Sequence, residues 1–108
     1  MPDIIHSVAF SLIHAPDSEA ERTFLLDARR ILTAIPGVRA FQVLRQISAK
    51  NPYRFGFTMR FATQADYDAY NAHPDHLAFV GERWRGEVAA FLENDAIEMQ
   101  HDEGGDGT

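Results

Sequence analysis

The chain has 108 residues, no cysteine and a formal net charge of −6 at pH 7. That length makes one domain over residues 1–100 with a core of its own. The missing cysteines exclude disulfides and thiolate metal sites, and the acidic balance disfavours a nucleic-acid partner, whose phosphates want a basic face. No apolar run approaches membrane-spanning length, and Met1-Pro2-Asp3 lacks the basic start of a secretion signal, so a soluble, cytoplasmic protein with no membrane partner is the expectation.

Residues 4–13 read as a first strand. Ile4, His6, Val8, Phe10 and Leu12 share one face, and Ile5, Ser7, Ala9, Ser11 and Ile13 the other. Both are mostly apolar or small, so both are expected to be covered. After a turn at His14-Ala15-Pro16-Asp17, Ser18 and Glu21 form a capping-box pattern. The helix it starts runs to about Ala34, with Ala20, Phe24, Leu25, Ala28, Ile31, Leu32 and Ile35 as its apolar stripe. Pro36-Gly37 then makes a turn. Residues 40–47 read as a second strand with Phe41, Val43 and Ile47 on one face. Residues 53–61 read as a third, in which Phe55, Phe57, Met59 and Phe61 alternate with Arg54, Gly56, Thr58 and Arg60. The short polar loop between them predicts an antiparallel hairpin.

Thr63, with Asp66 three residues on, caps a second helix over residues 64–72. Pro74 starts a third, through Leu77, Phe79, Val80 and Trp84, bent at Gly86 before Val88, Phe91 and Leu92. Residues 95–100 read as a last short strand with Ile97 and Met99 facing in. The tail from His101, acidic and glycine-rich, is expected to be disordered. The order β-α-β-β-α-(α)-β predicts an α+β, ferredoxin-like fold, a four-stranded antiparallel sheet with helices on one face. The second face of strand one and the Phe-rich strand three then demand a partner, and a two-fold homodimer through the open sheet face supplies it.

The segment from Tyr70 to His76 carries the densest chemistry. Proline disfavours helical geometry in the residue before it and suits the first position of a helix, so His73 ends one helix and His76 falls in the first turn of the next. A histidine near the positive end of a helix dipole tends to stay neutral and can act as a base. If His6, Tyr70 and His76 converge on a cavity, His76 would take a proton α to a carbonyl, Tyr70 would hold the oxygen that gains charge, and His6 would orient or relay. Phe10, Phe24, Leu77 and Phe79 are the candidate apolar wall, with His73 a further substrate-binding candidate. Each residue also has a structural reading: His6 as a core histidine, Tyr70 as a core aromatic, His76 packed on Tyr70, and His73 bonded to backbone at the helix end. His73 and His76 lack a third ligand at convincing spacing, so neither a metal nor another cofactor is expected.

Three stretches, Ile5-His6-Ser7-Val8-Ala9-Phe10, Ile35-Pro36-Gly37-Val38, and Tyr70 to His76 followed by Phe79-Val80, make the sequence resemble the stress-responsive A/B-barrel family over about residues 4–100. The resemblance implies a homodimeric α+β barrel. A plant branch of that family, the polyketide cyclases, performs an intramolecular aldol condensation. In that branch the residues matching His6, Tyr70 and His76 line the pocket. The last strand, with Asp95 and Glu98, is less apolar than is usual in the family. Two functions stay open: a cyclase-like or lyase enzyme acting on an oxygenated, partly apolar substrate, and a non-catalytic barrel that binds a small apolar or aromatic ligand or serves in stress tolerance.

Overall fold

The computed structural model describes residues 2–100. The elements in order are β1 (Ile4–Leu12), α1 (Glu19–Thr33), β2 (Arg39–Arg45), β3 (Phe55–Phe61), α2 (Gln64–Ala72), α3 (Pro74–Phe79), a π-helical segment (Val80–Trp84), α4 (Arg85–Glu87) and β4 (Val88–Ile97). The strands form one antiparallel sheet in the order β2-β3-β1-β4. This is the expected ferredoxin-like α+β topology. The tail expected to be disordered lies outside the described residues.

The local signals act as the sequence predicts. The Ser18 hydroxyl accepts from the Glu21 amide, and the Glu21 carboxylate accepts from the Asp17 amide, so both sides of the α1 entry are satisfied. Thr63 caps α2 through the Asp66 amide. Val38 N–H closes a turn onto the Ile35 carbonyl, with Gly37 at φ 91°, the left-handed value that a turn with proline at its second position demands of the third. At the other junction, His73 has extended backbone geometry, and its Nδ1 accepts from the Asp75 amide while Pro74 opens α3.

Sheet register decides which residues face the helices. Four rows cross the covered face: Phe61, Ile4 and Ile97; Met59, His6 and Asp95; Val43, Phe57, Val8 and Glu93; Arg45, Phe55, Phe10 and Phe91. Phe55, Phe57, Met59 and Phe61 are thus buried under α1 and α2 with Phe10, Phe24 and Leu32. This corrects the expectation that the Phe-rich strand supplies the open face. From β3 that face carries Gly56, Thr58 and Arg60, and its apolar area comes instead from the row Leu44, Gly56, Ala9 and Leu92. Leu44 and Leu92 are 44% and 61% exposed.

The last strand needs a second correction. It runs from Val88 to Ile97, not over residues 95–100, and Val88, Phe91 and Leu92 belong to it and not to a helix. Met99, expected to face in, is largely exposed. Val88, Phe91 and Leu92 mimic helical spacing, and the strand's alanines and acids have poor β propensity. Backbone pairing with β1 along the strand overrides both. The helix stops at Glu87 because the next residue turns extended.

Candidate functional site

A cavity of about 220 Å³ lies between the sheet and the α2–α3 corner. Its floor is His6 and Val8 from β1 and Phe57 and Met59 from β3; Phe91 and Glu93 of β4 form one rim. Tyr70, Asn71 and His76 close the polar end, and Phe79, Val80 and Trp84 cover the apolar end, with Leu32 behind. Val80 and Trp84, four residues apart, share one helix face and both wall it, in a segment where Arg85 N–H reaches back five residues to the Val80 carbonyl. Such π insertions re-aim side chains without ending a helix.

The polar end is built around β4. His6 Nδ1 lies 2.5 Å from Asp95 Oδ1, and Tyr67 donates its hydroxyl to Asp95 Oδ2 at 2.9 Å. A carboxylate only accepts, so Nδ1 of His6 carries the proton. In neutral His6 the lone pair is therefore on Nε2. Tyr67 Oη also sits 3.0 Å from His6 Nδ1, which closes a compact Tyr67–Asp95–His6 triangle. Burial and the Asp95 carboxylate push the Tyr67 phenol up to about 12. Burial raises the Tyr70 phenol as well, with Tyr67 and Glu93 adding to the shift, so Tyr70 stays a protonated donor across the neutral range.

Tyr70 and His76 form the second unit. Their rings pack with centroids 4.4 Å apart. Nδ1 of His76 lies 3.3 Å from the Asn71 carbonyl oxygen, so Nδ1–H donates and Nε2 is again the free base. Burial lowers the His76 pKa below the ordinary histidine value, against the opposing Asn71 carbonyl. His76 is neutral at pH 7, as its place after Pro74 suggested, though burial is the main cause. The Tyr70 hydroxyl has no hydrogen-bond partner among the described residues, and among those residues no buried side-chain polar atom is left unpartnered. The hydroxyl therefore opens onto the cavity it lines.

Of the predicted site residues, His6, Tyr70, His76 and Phe79 meet at this cavity. The other four do not. Phe10 and Phe24 are fully buried and packed on each other, and the Trp84 ring that lines the cavity stacks on both. They are core beneath the wall. Leu77 points outward, 58% exposed, about a quarter turn round α3 from His76. His73 is spent on the cap of α3, the structural reading of that residue. Sequence reasoning missed Tyr67, Asn71, Asp95 and Glu93. The signal for Asp95 and Glu93 was present in the alternation Phe91, Glu93, Asp95, Ile97, once β4 is given its full length. Among the described residues no group of three or more His, Cys, Asp or Glu could hold a metal ion, and no helix is long and apolar enough to cross a membrane.

An ion network holds the roof. Arg83, in the π segment, donates to Asp27 of α1 at 2.6 Å and to Glu87, and Glu87 is also bonded to His14 at 2.7 Å. The Arg83 hydrogen bond is the main cause that lowers the Asp27 pKa. For Glu87, burial would raise it, but bonds from Arg83 and His14 prevail and hold it low. The network clamps the segment carrying Val80 and Trp84 to α1 through Asp27 and, through Glu87 at the end of α4, to His14 after β1.

The sheet order β2-β3-β1-β4, covered on one face by helices, makes this a ferredoxin-like α+β domain. Within that class, the chain belongs to the stress responsive A/B barrel domain (Dabb) family, whose model matches residues 4–97. A Dabb family protein with a ferredoxin-like fold from Mesorhizobium loti is 53% identical, with a TM-score of 0.91 over 93% of this chain and 100% of that one. A dimeric ferredoxin-like protein of unknown function from Thermobifida fusca shares the fold at 20% identity and a TM-score of 0.74, over 90% of this chain and 92% of its own. The hydroxynitrile lyase of Passiflora edulis shares it at 12% identity and a TM-score of 0.78, over 94% and 97%. No functionally curated protein matches the sequence.

Proposed function

We propose that this Dabb protein is a homodimer, joined through its open sheet face, whose cavity binds a small, largely apolar, oxygen-bearing molecule and moves a proton on it. The observation that carries the reading is the meeting of a neutral His76, an unpartnered Tyr70 hydroxyl and His6 on one apolar cavity. His76 Nε2 takes a proton from the carbon next to a carbonyl. The electron pair of that C–H bond becomes the carbon–carbon double bond of an enolate, the π pair of the carbonyl moves onto its oxygen, and Tyr70 O–H donates to the oxygen as charge grows there. His6, fixed by Asp95 and Tyr67, is the second proton carrier. Aldol condensation begins with such a step, and a carbon–carbon lyase that releases an enolate ends with its reverse. The row Leu44, Gly56, Ala9 and Leu92 supports the dimer, since an apolar stripe across an open sheet calls for a cover, and the Thermobifida fusca neighbour is dimeric.

Exchange of α-protons of small ketones for deuterium in D2O, followed by NMR, tests the chemistry without presuming a product. The wild type should accelerate exchange and His76→Ala should not. Equal exchange in wild type, His6→Ala and His76→Ala would sink the catalytic reading. Binding without exchange in the wild type would assign the cavity to ligand storage or sensing.

A further inference from the structure

We infer that the cavity selects neutral carbonyl compounds of about ten non-hydrogen atoms and rejects carboxylates, with Glu93 as the residue that sets this preference. The inference rests on the proposed binding function and narrows its substrate class. About 220 Å³ holds roughly ten non-hydrogen atoms at interior packing density. Thirteen residues line that space, and none is lysine or arginine. The one charged side chain among the lining residues is Glu93, and its charge acts on Tyr67, Tyr70 and His76 at the polar end.

Among the described residues that line the cavity, no lysine or arginine answers a bound anion. Were His6 protonated, Asp95 at 2.5 Å would already neutralise it. His76 is held neutral by burial. Arg83, in the helical segment above the cavity, is committed to Asp27 and Glu87. A carboxylate would enter beside Glu93, lose water, and find only uncharged partners among the lining groups His6, Tyr70, Asn71, His76 and Trp84, a losing exchange for a charge. A ketone or aldehyde oxygen needs only one donor, which Tyr70 offers. The remaining wall, from Val8, Phe57, Met59, Phe79 and Trp84, suits an aromatic or short aliphatic body.

Ligand-observed NMR titration of the full-length protein at pH 7.5 with acetophenone, benzoate and benzylamine separates the outcomes, because the three have nearly the same size and differ in charge. Acetophenone should bind at least about tenfold more tightly than benzoate, and Glu93→Gln, a change at an exposed strand position, should narrow that gap by raising benzoate affinity with little effect on acetophenone. Benzoate binding as well as acetophenone, a gap unmoved in Glu93→Gln, or a preference for benzylamine would overturn the charge selection and leave the binding site standing. Failure of all three to bind, with no change at the Tyr70 or His76 resonances, would overturn the binding reading itself.

Discussion

The two ends of the helix–sheet interface solve the same packing problem in opposite ways. At one end Phe10, Phe24, Phe55, Phe57 and Trp84 fill the space with tilted aromatic rings, centroids 4.6–6.3 Å apart. At the other, four positions back along β1 from Phe10 at His6, the interface is made of imidazoles, phenols and a carboxylate around a gap. The first end stabilises through apolar burial and close contact. The second satisfies its hydrogen bonds around Asp95 and leaves Tyr70 O–H and the free imidazole nitrogens facing the void. A domain this small can leave such a gap only because the aromatic end is filled.

The sharpest contrast comes from truncating one side chain at each end. Phe24→Ala removes a ring with no exposed surface that touches Phe10, Phe79 and Trp84, and should destabilise the fold by about 3–5 kcal/mol in denaturant melts. Tyr70→Phe deletes only an unpartnered hydroxyl and should stay within about 0.5 kcal/mol of wild type. A large loss in Tyr70→Phe would show that the hydroxyl holds the fold together. Next in size is chemistry. His76→Ala should slow α-proton exchange by about 10²–10⁴-fold while circular dichroism still reports a folded sheet. Asp95→Ala follows, because it strips the acceptor from both His6 and Tyr67; about 1–3 kcal/mol of stability should go, and Tyr67→Phe, which leaves the His6–Asp95 pair in place, should cost less.

The aromatic end was legible in the sequence and the polar end only in part. The alternation of β3 and the stripe of α1 are strong periodic signals, and they place Phe24, Phe55, Phe57, Met59 and Phe61 in the core without further information. Which sheet face the β3 aromatics took was misjudged, since alternation gives two faces and only the crossing register says which one meets the helices. His6, Tyr70 and His76 were found through the Pro74 break and the residue chemistry around it. Asp95, Glu93 and Tyr67 were not, because β4 is rich in alanine and acids and its length is fixed by pairing with β1, a contact between residues 89 apart at His6 and Asp95. Phe10, Phe24 and Leu77 were assigned to the wall by hydrophobicity alone, which does not distinguish core from cavity lining or from surface.

The smallest expected effect distinguishes the two ends by pH. The aromatic end has no titratable ring and should contribute the same stability at all moderate pH. His76 has a folded-state pKa below the ordinary histidine value of about 6.5, so the folded protein holds fewer protons on that ring than the unfolded chain does. Its contribution is complete above about pH 6.5 and is lost as pH falls through the folded-state value. Exchange activity that depends on neutral His76 should fall over the same acid limb. Melts of wild type and His76→Asn at pH 7.5 and pH 5 isolate the effect: the variant should lose less stability on acidification than the wild type. Equal losses would place the pH dependence elsewhere.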